Sequence, residues 1–151
     1  MSDNYFQVTV QPLIPIDFLT EKEIRFLEAS GFTVEAEKTW QVDKYVLSGE
    51  YYLFAGESLD MDAELTIERL EYDGEEGWDG YSVASILQNV IRRSNGTIPE
   101  IILKGAYTCS KMAPNQFGGY CCRITKNFVQ EGGTSQLIEW FRKNEGKELC
   151  L

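Results

Sequence analysis

Four cysteines and 24 carboxylates are the side chains with chemistry to offer, and no histidine exists to activate them. Without imidazole, Ser-His-Asp and Cys-His nucleophile pairs are excluded, as are His-ligated metal sites. The cysteines, Cys109, Cys121, Cys122 and Cys150, do not fall into the repeated CxxC spacing of zinc sites. Adjacent Cys121 and Cys122 point to opposite faces of a strand, so they do not converge on one ion. Reduced thiols, no metal and no cofactor are the expectation. Cys109 stands at a strand end two residues before Lys111, whose charge favours a thiolate. It is the candidate nucleophile if the chain is an enzyme.

The carboxylates offer two arrangements. Asp60-x-Asp62-x-Glu64 would share one face of a strand and present oxygens to a hard cation, but it lacks the central glycine and closing glutamate of an EF-hand loop. The second arrangement is a surface. Residues 57–79 hold ten acids against one base, Arg69. Across the chain, residues 1–80 carry 19 Asp and Glu against 5 Lys and Arg, and residues 81–151 carry 5 against 9. The net charge of −10 argues against direct binding of nucleic acid through a basic face. It favours the converse, a row of carboxylates that a basic groove takes for phosphates. The candidate partner-binding residues are Glu64, Glu68, Glu71, Asp73, Glu75, Glu76 and Asp79, with Trp78 as the apolar anchor that charge alone does not supply. The alternatives are a small enzyme using carboxylates or Cys109, and a regulatory domain whose acidity serves only solubility. No phosphate loop is present: there is no GxGxxG, and no P-loop Lys follows Gly118-Gly119.

In size, acidity and lack of catalytic motifs the chain resembles small accessory proteins of phages and mobile elements, among them acidic anti-CRISPR and anti-restriction proteins that imitate nucleic acid. The resemblance is one of composition, and it implies a basic nucleic-acid-binding protein as partner, such as a host-defence nuclease. No residue role comes with it.

The elements that must position these groups follow from periodicity. At 151 residues and 43% apolar content, one α+β domain spanning 1–151 is expected. Phe6, Val8 and Val10 alternate with polar residues in a strand over 5–11. Thr20 and Glu23 form a capping box that opens a helix near 20–30, with Gly31 as its stop. A strand follows from Phe32. Two more, at 40–47 and 50–55, flank a turn at Ser48-Gly49. Alternation of Ala63, Leu65 and Ile67 predicts a strand over 62–72, with a bulge where the phase slips at Arg69. The glycines at 74, 77 and 80 make the next stretch a loop.

Val83, Ile86, Leu87, Val90 and Ile91 recur at helical spacing, which predicts a helix near 82–94 capped by Ser82 or Asp79. Strands at 100–108 and 119–125 follow, a break at Gly132-Gly133, and a last helix near 134–144. The order reads β-α-β-β-β-β-α-β-β-α, a largely antiparallel β-sheet with three helices. A faint internal echo relates 18–55 to 82–125. No apolar run reaches the ~20 residues of a membrane span, and the first residues lack the pattern of a secretory signal. A cytoplasmic protein with no membrane contact is the expectation.

Overall fold

The computed structural model describes residues 4–40, 47–56, 59–111, 114 and 117–149, with side chains described over most of these. It is an α+β fold built on one antiparallel sheet. Strand β1 (Asn4–Gln11) lies at the centre, between β4 (Leu47–Ala55) and β5 (Ile101–Cys109). A cis Gln11–Pro12 bond separates β1 from the short β2 (Ile14–Pro15), which continues along the same side of β4. Beyond β4 lies β3 (Phe32–Trp40). Beyond β5 lie β6 (Gly118–Ile124) and then β7 (Val129–Gly133).

The register puts the alternating apolar residues of the central strands on one face. Val8 pairs with Ala55 and Gly105, Val10 with Leu103, Leu103 with Cys122, and Ile101 with Ile124. Of these, Val8, Val10, Ala55, Ile101, Leu103, Cys122 and Ile124 are buried, while Gln7, Thr9, Lys104, Cys121 and Arg123 on the opposite face are exposed.

Helices α1 (Glu21–Ala29) and α3 (Val83–Arg93) contribute Phe26, Leu27, Val83, Ile86, Leu87, Val90 and Ile91 to the same buried cluster. The capping box at α1 is complete: the Thr20 hydroxyl accepts from Glu23 N at 3.1 Å, and the Glu23 carboxylate accepts from Thr20 N at 3.0 Å. At α3, Ser82 takes the cap and Ser85 returns the bond at 2.8 Å, so serine does what Glu does at α1. Asp79 is not the cap. Gly31 follows α1 with φ 102°, and Asn95-Gly96 ends α3 with φ 56° and 94°. These left-handed positions are the ones glycine and asparagine adopt at low cost.

Helices α1 and α3 are tied at their ends by a buried carboxylate. Glu23 is 3% exposed, and Arg93 at the end of α3 donates to it and, at 2.8 Å, to Phe18 O. Burial raises the Glu23 pKa, but the bonds from Arg93 and Thr20 outweigh it and leave the carboxyl below its usual range.

Several expectations are corrected. Residues 63–72 form a helix, α2 (Ala63–Tyr72), where a strand with a bulge was expected. The alternating triad also fits a helix once Thr66 and Leu70 are included: Ala63, Thr66, Ile67 and Leu70 recur at i, i+3, i+4 and i+7. Thr66 and Leu70 are buried and Leu65 is 54% exposed, so the phase slip at Arg69 is the helical period. Among the described residues the α-helices therefore number four.

Ser48 and Gly49 make no turn. They pair with Thr39 and Lys38 inside a long β3–β4 ladder running from Phe32↔Ala55 to Trp40↔Leu47. Residues 41–46, most of the strand expected at 40–47, lie outside the described residues. Gly132 and Gly133 do not break the chain but complete β7 on the edge of β6. The last helix, α4 (Thr134–Lys143), buries none of its residues; Leu137, Ile138, Trp140 and Phe141 remain 36–43% exposed. The two echoing segments seat differently beside β1. In the first the second strand, β4, is the neighbour; in the second it is the first strand, β5.

Candidate protein-interaction site

Helix α2 packs on α1 through a small polar contact. The Ser30 and Thr66 hydroxyls meet at 3.2 Å, both fully buried, and Arg69 donates to Ala29 O. The side facing α1 is thus fixed, and the other side carries the acids. Asp62 is the N-cap, accepting from Glu64 N at 2.9 Å. Glu64, Glu68 and Glu71 follow at i, i+4 and i+7, a stripe about 10 Å long at 1.5 Å per residue. Leu65 and Tyr72 lie beside that stripe, and all five side chains fit within about 120° of arc. Each is exposed, Tyr72 to 92%.

On an isolated helix the Glu64–Glu68 and Glu68–Glu71 pairs repel by roughly 0.2–0.5 kcal/mol each. The Asp62 cap, worth about 1 kcal/mol, and burial of Leu70 offset this. The stripe is therefore carried by the tertiary fold, at a cost to local helix stability.

The loop after α2 is held, not free. Lys22 on α1 donates to Gly77 O at 2.7 Å and sits 4.8 Å from the centre of the Trp78 ring. Arg25 pairs with Glu75. Trp78 is 4% exposed and packs among Phe26 and Tyr81, with ring centres at 5.9 and 5.1 Å. It belongs to the core and presents no ring to a partner. Glu75 is half-buried against Arg25, with its second oxygen out of water and unbonded. Of the expected row, Glu64, Glu68, Glu71, Asp73, Glu76 and Asp79 are exposed. Leu65 and Tyr72 occupy the place expected of Trp78. Reading 63–72 as a strand hid Leu65, which then shared a face with Ala63 and Ile67.

The other candidate chemistry is dispersed. Asp60 and Asp62 serve turns: the Asp60 carboxylate accepts from Asp62 N at 2.8 Å and from the Thr66 hydroxyl at 3.2 Å. Asp60 and Asp62 do not share a strand face with Glu64, since Glu64 lies within α2 and Asp62 caps it. Among the described residues no group of three or more Cys, Asp or Glu is placed to hold a metal ion. Cys109, the candidate nucleophile, is 3% exposed. Cys122 is buried and Cys121 exposed on the opposite face, as adjacency on a strand requires. Burial raises the Cys122 thiol pKa, and nearby Glu131 and Cys121 add to the rise against a bond from Tyr120. Among the described residues no helix is long and apolar enough to cross a membrane. No protein-family model, curated protein or solved structure matches the chain.

Proposed function

We propose that the protein is a non-enzymatic inhibitor of the cytoplasm whose acidic helix face occupies a basic nucleic-acid-binding surface of another protein, with a host-defence nuclease as the target class. The observation that carries this reading is the outer side of α2. Glu64, Glu68 and Glu71 stand one turn apart in water, and beside them Leu65 and Tyr72 are exposed to 54% and 92%. Summed carboxylates speed encounter with a basic groove, while bare apolar side chains gain free energy only when a partner covers them. An apolar pair beside the carboxylates supplies what a docking surface needs in addition to charge.

The test is competition. Protein captured from host lysate at low salt, released at high salt and identified, is loaded with labelled nucleic acid and titrated with this protein. Displacement of the nucleic acid, lost when Glu64, Glu68, Glu71 and Glu76 are all changed to Lys in a folded variant, supports the reading. Equal displacement by that variant refutes it.

A further inference from the structure

A second site lies away from α2, at the end of the sheet where β5, β6 and β7 meet the start of α4. These elements line a half-open cleft of about 820 Å³, within the ~300–1,000 Å³ of small-molecule sites. Its walls include the aromatic residues Tyr5, Tyr107, Phe117 and Tyr120 and the carboxylate of Glu131. Among the described residues no lysine or arginine lines it. Tyr107 and Phe117 are 43% and 40% exposed, so their rings are open to an occupant. Tyr107 is held by stacking on Phe6 at 4.2 Å, and Tyr120 meets Phe6 edge-on at 5.8 Å, which fixes both walls. Among the described residues no lysine or arginine pairs with Glu131.

The lining decides the charge of the ligand. An anion would meet a carboxylate, ring faces that carry negative quadrupole, and no cation. An ammonium gains from all three features, because aromatic faces attract cations within about 6 Å of the ring centre.

The Tyr120 hydroxyl is out of water without a hydrogen bond of ordinary geometry. Burial first, then Cys122 and Glu131, raise its pKa far above the usual value, so the phenol stays neutral. It brings no charge of its own to oppose or pair with a ligand.

We propose that this cavity binds an organic ammonium cation, with the rings of Tyr107, Phe117 and Tyr120 against its alkyl groups and Glu131 as counter-charge. The cation can be a free small molecule or an alkylated lysine side chain, and two probes separate these sources. Choline and a short trimethyl-lysine peptide are titrated into the full chain by calorimetry, each beside its neutral carbon isostere, dimethylbutanol for choline. At least one cation should bind about tenfold more tightly than its isostere, the size of a desolvated cation–ring contact. Tyr107→Leu, which keeps apolar bulk but removes the ring, and Glu131→Gln should each weaken binding several-fold. Both positions are exposed, so melting temperature should hold; if Tyr107→Leu unfolds the chain, Phe117→Leu takes its place. Equal binding of cation and isostere, no saturation by either cation at millimolar concentration, or unchanged binding in the Glu131→Gln and ring variants overturns the proposal.

Discussion

Removing the Arg93 guanidinium with Arg93→Met should destabilise the protein strongly at neutral pH and by less in acid, where the lost bond to Phe18 O is what remains. The substitution keeps most of the aliphatic stem and deletes the charge that faces Glu23. Glu23 is 3% exposed and would be left buried with the Thr20 bond alone. Orphaning one member of a fully buried pair costs about 3–5 kcal/mol. Arg93 is 36% exposed, so water screens part of the interaction, and about 2–3 kcal/mol is the reasonable figure. For a chain of this size that lowers the melting temperature by roughly 5–10 °C.

The pH dependence gives the sharper test. In the parent the folded pKa of Glu23 is below its unfolded value. Its contribution is therefore fully present above the unfolded pKa and is lost as pH falls through the folded one. In Arg93→Met the burial that raises the pKa is no longer offset by the guanidinium. The folded pKa should then rise, so protonation relieves the variant where it costs the parent stability. Urea unfolding of both proteins from pH 7 down to pH 3 should show a gap that narrows below the carboxylate range to what the lost Phe18 bond costs, about 1 kcal/mol. A gap that stays constant with pH, or one below about 0.5 kcal/mol at pH 7, refutes the assignment of Glu23 as a charged, buried clamp.

Three further outcomes are expected. Changing Glu64, Glu68, Glu71 and Glu76 to Lys should leave unfolding cooperative but weaken partner binding by at least about tenfold, given a few tenths to 1 kcal/mol per exposed ion pair and a doubled change on reversal; binding of the parent should also weaken with salt, because these charges are screened over about 8–10 Å. Leu87→Ala should cost about 2–5 kcal/mol, since the side chain is 0% exposed, whereas Leu137→Ala on α4, already 39% exposed, should cost about 1 kcal/mol or less in denaturant titration. Among the described cysteines a thiol reagent should modify Cys121 at once and Cys109 and Cys122 only on unfolding, as peptide mapping of the labelled chain would show.

Where local chemistry and burial agree, the elements are legible from residue order alone. Helix α3 shows it most plainly: five apolar residues at helical spacing, a serine cap before them and Asn-Gly after them leave no competing period. The α1 capping box and the β1 alternation are of the same kind. Helix α2 is not, because Ala63, Leu65 and Ile67 satisfy a period of two as well as part of a 3.6 repeat. What settles it is Ser30 and Ala29 on α1, which take the Thr66 hydroxyl and Arg69 and turn Leu65 and Tyr72 outward. Likewise the number of acids in 57–79 could be counted in advance, but their arrangement could not. Lys22 and Arg25 come from a helix some fifty residues away, and they draw Trp78 into the core and Glu75 into a pair. Sequence sets which side chains are available and the period at which they repeat. Which of them stay in water depends on contacts between segments far apart in the chain, and those form only when α1, α2 and the sheet pack together.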